Sequence, residues 1–197
     1  MSATPAGLII VVSAPSGGGK GTILRRVSED DSRLRHTVSV TTRPPRPGEV
    51  EGKHYYFVNR QTFDRWVDES RFAEWADVHG QRYGTLRAEL ERVRGGGDAV
   101  LELDVQGMRS IRKLHPDAVT VFLLPPSREV LEERLRKRGD LTPESLAIRL
   151  RNAEAEIAAK NEYTYQILND DLDAAVAEFH EILRKARAKA GRPGQNT

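Results

Sequence analysis

The sequence predicts an α/β fold: a parallel sheet flanked by helices, with an inserted subdomain and a helical lid. Three observations lead there. The apolar run Leu8-Ile9-Ile10-Val11-Val12 feeds directly into the glycine-rich stretch Ser13-Ala14-Pro15-Ser16-Gly17-Gly18-Gly19-Lys20-Gly21-Thr22, and a helical pattern follows from near Ile23. Further short apolar runs at residues 99–103, 118–124 and 165–168 end in turns or charges, as strands buried on both faces do. Between the first two strands lies a segment of different texture, residues 38–94, which holds both Trp and most of the Tyr residues.

The elements follow in order. Residues 8–12 form the first strand. The glycine stretch after it has the context of a phosphate-binding loop, or P-loop: strand, glycines, lysine, helix. Its backbone N–H groups would converge on phosphate oxygens. The helix N-terminus adds a partial positive charge and Lys20 a full one. Against the pattern G-x-x-x-x-G-K-[ST], Ala14 stands at the first glycine and Gly21 where a Mg²⁺-binding hydroxyl usually sits. A plain strand-to-helix turn is the alternative reading.

Val38-Ser39-Val40-Thr41-Thr42 alternates like a strand edge. Arg43-Pro44-Pro45-Arg46-Pro47-Gly48-Glu49 cannot be a helix interior, because its prolines fix φ and remove donors. Residues 55–58 read as a strand, and residues 62–69 as a short helix with Phe63, Trp66 and Val67 on one face. Pro126-Ser127 with Glu129 marks a capped helix start ahead of Leu131 and Leu135. Residues 134–151 are charge-rich and contain Gly139 and Pro143. They read as two helix ends joined by a mobile turn, a lid. Residues 171–190 form a long amphipathic helix with Leu172, Val176, Phe179 and Leu183 at helical spacing. The expected organisation is a core of residues 1–37 and 95–190, an insertion at 38–94, a lid at 134–151 and a disordered tail at 191–197.

A chain of 197 residues can bury a core without staples. The absence of Cys excludes a disulfide framework, a cysteine nucleophile and cysteine-ligated zinc. A formal net charge of +2 gives no reason to expect nucleic-acid binding. No apolar run approaches membrane-spanning length and no signal-peptide pattern opens the chain, so a cytoplasmic protein is expected. His36, His54, His79, His115 and His180 lack the spacing of a metal-binding pair, and no G-x-S-x-G element occurs. The sequence names no oligomeric state.

Cations and acids for phosphate chemistry fall in separate places. Arg43 and Arg46 flank rigid prolines with Tyr55 nearby, which suits guanidinium forks held for a phosphate; a charged surface loop is the alternative. Arg134 and Arg138 share a helical face, with Arg149 further on; a solvated helix reads equally well. Glu102 and Asp104 end an apolar strand pattern and share a face. In open α/β sheets that end of a strand lines the ligand crevice, where carboxylates can hold Mg²⁺ waters or a ribose hydroxyl; a solvated strand end is the alternative.

With these motifs in view, the sequence resembles the guanylate kinase family over residues 8–183. The resemblance rests on S-A-P-S-G-G-G-K-G-T at 13–22, V-S-V-T-T-R-P-P-R-P-G-E-V-E-G-K-H-Y at 38–55 and F-A-E-W-A-D-V-H-G-Q-R-Y-G-T at 72–85. It continues through L-E-L-D-V-Q-G at 101–107, R-x-x-x-R-G at 134–139 and I-L-N-D-D at 167–171. It implies a P-loop kinase core with a GMP-binding insertion and a lid. The implied reaction is transfer of the γ-phosphoryl of ATP to GMP, with dGMP also accepted. Mg²⁺ would be held through phosphates and water, near Glu102 and Asp104, with no direct protein ligand.

Residue by residue, the resemblance implies that Ser39, Arg43, Arg46, Tyr55 and Tyr83 surround the GMP phosphate, and it counts Glu49 among the GMP-binding residues. It sets Glu74 and Thr85 at guanine, and Glu102 and Asp104 facing GMP. ATP would be held by Ala14, Pro15, Ser16, Gly17, Gly18, Gly19, Lys20, Gly21 and Thr22, with Arg134 and Arg138, and with Asn169 near adenine. Lys20, Arg43, Arg138 and Arg149 would carry catalysis. A carboxylate suits guanine because it can accept both N1–H and the exocyclic amino group, a donor pair that adenine lacks. A related kinase for another sugar or nucleoside phosphate, and a guanylate-kinase-like binding module, are the rival classes. Glu74, Tyr83 and Thr85 speak against the first, Lys20 and the lid arginines against the second.

Overall fold

The computed structural model describes residues 6–78, 80–137 and 142–191. In chain order the elements open with β1 (Ile9–Ser13), α1 (Lys20–Asp30), β2 (Leu34–His36), β3 (Ser39–Thr41), β4 (Tyr55–Phe57) and α2 (Arg60–Asp68). Then come β5 (Phe72–Val78), β6 (Gln81–Leu86), α3 (Arg87–Arg94), β7 (Asp98–Glu102) and α4 (Val105–Leu114). The chain closes with β8 (Val119–Leu124), α5 (Arg128–Arg136), α6 (Pro143–Ala158), a short 3₁₀ turn, β9 (Tyr165–Leu168) and α7 (Leu172–Lys189). The chain is therefore mixed α/β, with parallel strands flanked by helices. Two compact units divide it. One takes the chain through Ile9 and Arg33–Ala118; the other takes Ile10–Ser32 and the chain from Val119.

In the second unit β1 pairs in parallel with β8, and β8 with β9. All five residues of β1 are buried, which is why an unbroken aliphatic run rather than an alternating one encodes it. The chain then turns through Gly17 and Gly19, whose φ values of 90° and 86° only glycine adopts without strain. α1 starts at Lys20, three residues ahead of the Ile23 expected from its apolar periodicity. Its first turn carries no apolar residue, so periodicity cannot reveal it. α5 is capped by Ser127, whose hydroxyl accepts the Val130 N–H at 3.3 Å. Leu131 and Leu135 then bury a core with Leu146, Leu150 and Ala153 of α6. Asp171 caps α7, and Ala175, Val176, Phe179, Ile182 and Leu183 are its buried stripe. Residues 138–141 of the expected lid turn and 192–197 of the expected tail lie outside the described residues.

In the first unit β2 pairs in parallel with β7. A four-stranded sheet has the order β4-β3-β6-β5, parallel between β3 and β4 and antiparallel elsewhere. Phe63, Phe72 and Val40 form its buried centre, with the Phe63 and Phe72 rings stacked at 4.4 Å. α2 begins two residues before the expected helix because Asn59 caps it, accepting the Thr62 N–H at 2.8 Å.

Candidate active site

The first unit gathers every residue that the sequence assigns to GMP. Glu74 lies on β5 directly across from Thr85 on β6. A cross-strand pair of this kind puts both side chains on one face of the sheet. The register shifts between Phe72 and Glu74, and such a bulge re-aims the side chain that follows it. Glu74 is only 5% exposed and Thr85 is fully buried. Glu74 Oε1 and Thr85 Oγ1 are both buried without a hydrogen-bond partner. Burial pushes the Glu74 carboxyl up to about 7, and the Asp104 charge adds to the rise. Thr85 lies close enough to draw it partly back, although no hydrogen bond of good geometry joins its hydroxyl to Oε1.

The far oxygen of Glu74 faces the start of α4. A Cβ built on Gly107 would lie 2.9 Å from Glu74 Oε2 and 3.4 Å from Asp104 Oδ1. Asp104 caps this helix, its Oδ1 accepting the Gly107 N–H at 2.8 Å. Gly107 thus leaves the space that the carboxylate fills. Within L-E-L-D-V-Q-G the resemblance gives Gly107 no role; a glycine in the first turn of an amphipathic helix, where any side chain would be cheaper, is the signal in the sequence that points to it.

A second cluster surrounds Tyr55. The Arg43 guanidinium stands 5.3 Å from the Tyr55 ring centre and 5.9 Å from that of Phe57. Tyr83 meets Tyr55 edge-on at 6.0 Å. Ser39 is the strand partner of Tyr55. The Arg43 fork is bidentate to Glu49, at 2.9 and 2.8 Å, and a third N–H bond reaches the Pro44 carbonyl at 2.7 Å. Glu49 also accepts the Arg46 N–H at 2.7 Å, which closes the proline-rich loop on itself, while the Arg46 side chain is exposed. These contacts, the Arg43 pair foremost, hold the Glu49 carboxyl down at about 2 and raise Arg43 above its ordinary value. Burial raises Tyr55, with Tyr83 and Glu102 adding to it, so Glu102 belongs to the same neighbourhood. His36 Nδ1 lies 3.5 Å from Glu102 Oε1.

The second unit holds the described residues among those assigned to ATP. The loop of residues 14–19 closes on itself, with the Gly18 N–H donating to the Pro15 carbonyl at 2.8 Å, and Lys20 opens α1. Gly21 and Thr22 follow on the exposed side of the helix. Leu131 and Leu135 of α5 pack under Gly17. One turn along from Leu131, Arg134 reaches the loop: its Nη1 would lie 3.8 Å from a Cβ on Gly19, and that nitrogen is buried without a hydrogen-bond partner. Asn169 follows β9 and donates from Nδ2 to the Gly18 carbonyl at 2.8 Å. Arg149 sits on the exposed face of α6, and Arg138 lies outside the described residues.

Among the described residues no three His, Asp or Glu side chains gather as a metal cage. Glu102 and Asp104 offer hard oxygen donors, and one Asp104 oxygen is already committed to the Gly107 N–H. That donor set fits a Mg²⁺ ion that keeps its waters and rides on phosphates.

A family model described as guanylate kinase matches residues 7–186, nearly the whole chain. The chain belongs to the guanylate kinase family. Membership makes it a kinase and a transferase. The guanylate kinase of Carboxydothermus hydrogenoformans is 44% identical over 187 residues, covering 94% of this chain and 92% of that protein. That of Symbiobacterium thermophilum is 46% identical over 191 residues, covering 96% and 90%. The crystal structure of guanylate kinase from Anaplasma phagocytophilum superposes with a TM-score of 0.77 at 34% identity, covering 96% of this chain and 90% of that one. No helix among the described residues is long and apolar enough to cross a membrane.

Proposed function

We propose that this guanylate kinase family member transfers the γ-phosphoryl group of ATP directly to GMP or dGMP, giving ADP and the nucleoside diphosphate, and so serves purine nucleotide metabolism and GMP recycling. The observation that carries the acceptor is the buried pair of unpartnered oxygens, Glu74 Oε1 and Thr85 Oγ1. A buried polar atom without a partner is unfavourable by about 1–3 kcal/mol. Guanine relieves both atoms: its N1–H and amino group donate to the carboxylate, and the Thr85 hydroxyl finds a partner on the base. Adenine presents no such donor pair and leaves the carboxylate unmatched.

In this reading Ser39, Arg43, Arg46, Tyr55 and Tyr83 hold the GMP phosphate. Glu49 keeps the Arg43 fork extended, and the phosphate competes with it for the same N–H groups. The insertion at 38–94 supplies the acceptor site, and the core at 1–37 and 95–190 supplies the donor site. There the loop N–H groups and Lys20 hold the β- and γ-phosphates of ATP. Arg134, with a buried guanidinium nitrogen awaiting an acceptor, takes a phosphate oxygen. Arg138 and Arg149, from the lid at 134–151, neutralise charge on the migrating group. When bound, Mg²⁺ draws negative charge off the β,γ-phosphates, and Glu102 and Asp104 would hold its waters. A GMP phosphate oxygen attacks γ-phosphorus in line; no covalent enzyme intermediate is formed. We assign the protein to the cytoplasm, where free nucleotides are.

The test is a coupled assay with ATP–Mg²⁺ and GMP, dGMP, AMP, UMP or ribose 1,5-bisphosphate as acceptor. The expected result is rapid turnover of GMP, followed by dGMP. Turnover of AMP or of the sugar phosphate equal to that of GMP would overturn the assignment.

A further inference from the structure

Asn169 makes a contact that a base-reading role does not require. Its Nδ2 donates to the backbone carbonyl of Gly18, in the middle of the glycine loop, at 2.8 Å across 151 residues of sequence. Asn169 is 7% exposed, so this bond is shielded from water. Only the amide nitrogen can serve here, because a carbonyl accepts and cannot donate. The side chain is itself held at its base. The Asn169 N–H donates to the Leu124 carbonyl at the end of β8, also at 2.8 Å, so the residue is fixed by the β8–β9 pairing. The fit against the loop is tight: a Cβ on Gly19 would lie 2.2 Å from Asn169 Nδ2.

We infer that Asn169 is a positioning residue that holds the glycine loop in its phosphate-binding conformation. This rests on the donor site proposed above. A peptide unit has its carbonyl and N–H on opposite sides, so tying the Gly18 carbonyl to Asn169 turns the Gly19 N–H away from Asn169. A loop rich in glycine has many conformations, and its apparent affinity for phosphate falls by the fraction of time spent in the competent one. The bond from Asn169 raises that fraction. It acts on the phosphates of ATP through the loop and is indifferent to the base.

The prediction separates this from reading of adenine. Binding of ATP and of inorganic tripolyphosphate, which has no base, is measured by calorimetry on the parent, Asn169→Ala and Asn169→Asp. Alanine leaves a buried carbonyl unpaired, so both ligands should weaken together by about 5- to 100-fold. Aspartate keeps the shape and sets an oxygen against the carbonyl, so it should be at least as poor. In turnover, KM for ATP should rise while KM for GMP stays unchanged. A general loss of folded protein would instead lower kcat and leave both KM values alone, and thermal unfolding of each variant checks the fold. Tripolyphosphate binding that is unchanged while ATP weakens would overturn the inference and leave the donor site standing. A parent protein that binds neither ligand would overturn the donor site itself, and the inference with it.

Discussion

Glu74→Gln probes both the chemistry of the site and what it demands of the fold. The parent carboxyl is pushed up to about 7 from an ordinary 4.5, burial first among the causes. Between those two values the folded protein binds the proton that the unfolded chain has released. Stability therefore falls as pH rises through this window, by about 3 kcal/mol in all, and levels off above pH 7. Glutamine does not titrate. Whatever its amide gains or loses in the pocket is independent of pH, so the difference in stability between variant and parent isolates the titration. Urea unfolding at several pH values should show Glu74→Gln gaining about 3 kcal/mol on the parent between pH 4.5 and 7.

The functional effect runs the other way. Glutamine keeps the size but aims an N–H₂ at the N–H groups of guanine and removes a charge-assisted bond, an expected loss of roughly 2–4 kcal/mol. That is about a 30- to 1,000-fold fall in kcat/KM for GMP, with KM for ATP unchanged. In the proposed site, guanine binding requires the ionised carboxyl. The parent's affinity for GMP should therefore fall about tenfold per pH unit below pH 7, in addition to any contribution from the GMP phosphate. Glu74→Gln retains only the latter contribution, which makes it the control. A variant that phosphorylates GMP as well as the parent, or whose stability tracks the parent's at every pH, would refute the reasoning.

Three further outcomes are expected. Lys20→Ala should lower kcat by at least about 100-fold with the fold intact by circular dichroism; near-normal turnover, or a trapped phosphoenzyme, would contradict direct transfer held by the loop. Gly107→Ala puts a methyl 2.9 Å from Glu74 Oε2, so kcat/KM for GMP should drop about tenfold while KM for ATP holds; an unaffected GMP reaction would show that the carboxylate does not depend on this space. Arg187, buried on α7, pairs with Asp31 at the end of α1. Arg187→Ala removes one half of a largely buried ion pair and should destabilise the protein by about 3 kcal/mol, read as a fall in Tm of roughly 6–12 °C.

Local chemistry was legible in the chain. The loop at 13–22 announces itself because a buried strand, a run of glycines and a lysine are each demanded by a local conformation or charge. Gly17 and Gly19 indeed adopt the positive φ that such a loop needs. The capped helix start at Ser127 is legible for the same reason: its side chain accepts the N–H three residues on. The β5–β6 hairpin is not legible as strands. Its first strand, Phe-Ala-Glu-Trp-Ala-Asp-Val, carries three buried residues in succession at a bulge, which breaks the alternation that marks a half-buried strand. Glu74 is reached by resemblance; the Trp75 and Ala76 that follow it suggest a partly dry pocket, and only the fold brings the carboxyl to 5% exposure.

The sequence by itself determined the α/β class, the loop and the residue types available for phosphate and guanine, because those are properties of a few consecutive side chains. Only the tertiary structure decided the state of those residues. The register of β5 against β6 set Glu74 beside Thr85 and withdrew both from water, and that burial raised the carboxyl. The pairing of β8 with β9 carried Asn169 to Gly18. These contacts join segments distant along the chain. Their energies come from packing, desolvation and hydrogen bonds that exist only once the strands have found their partners, so no local pattern can encode them.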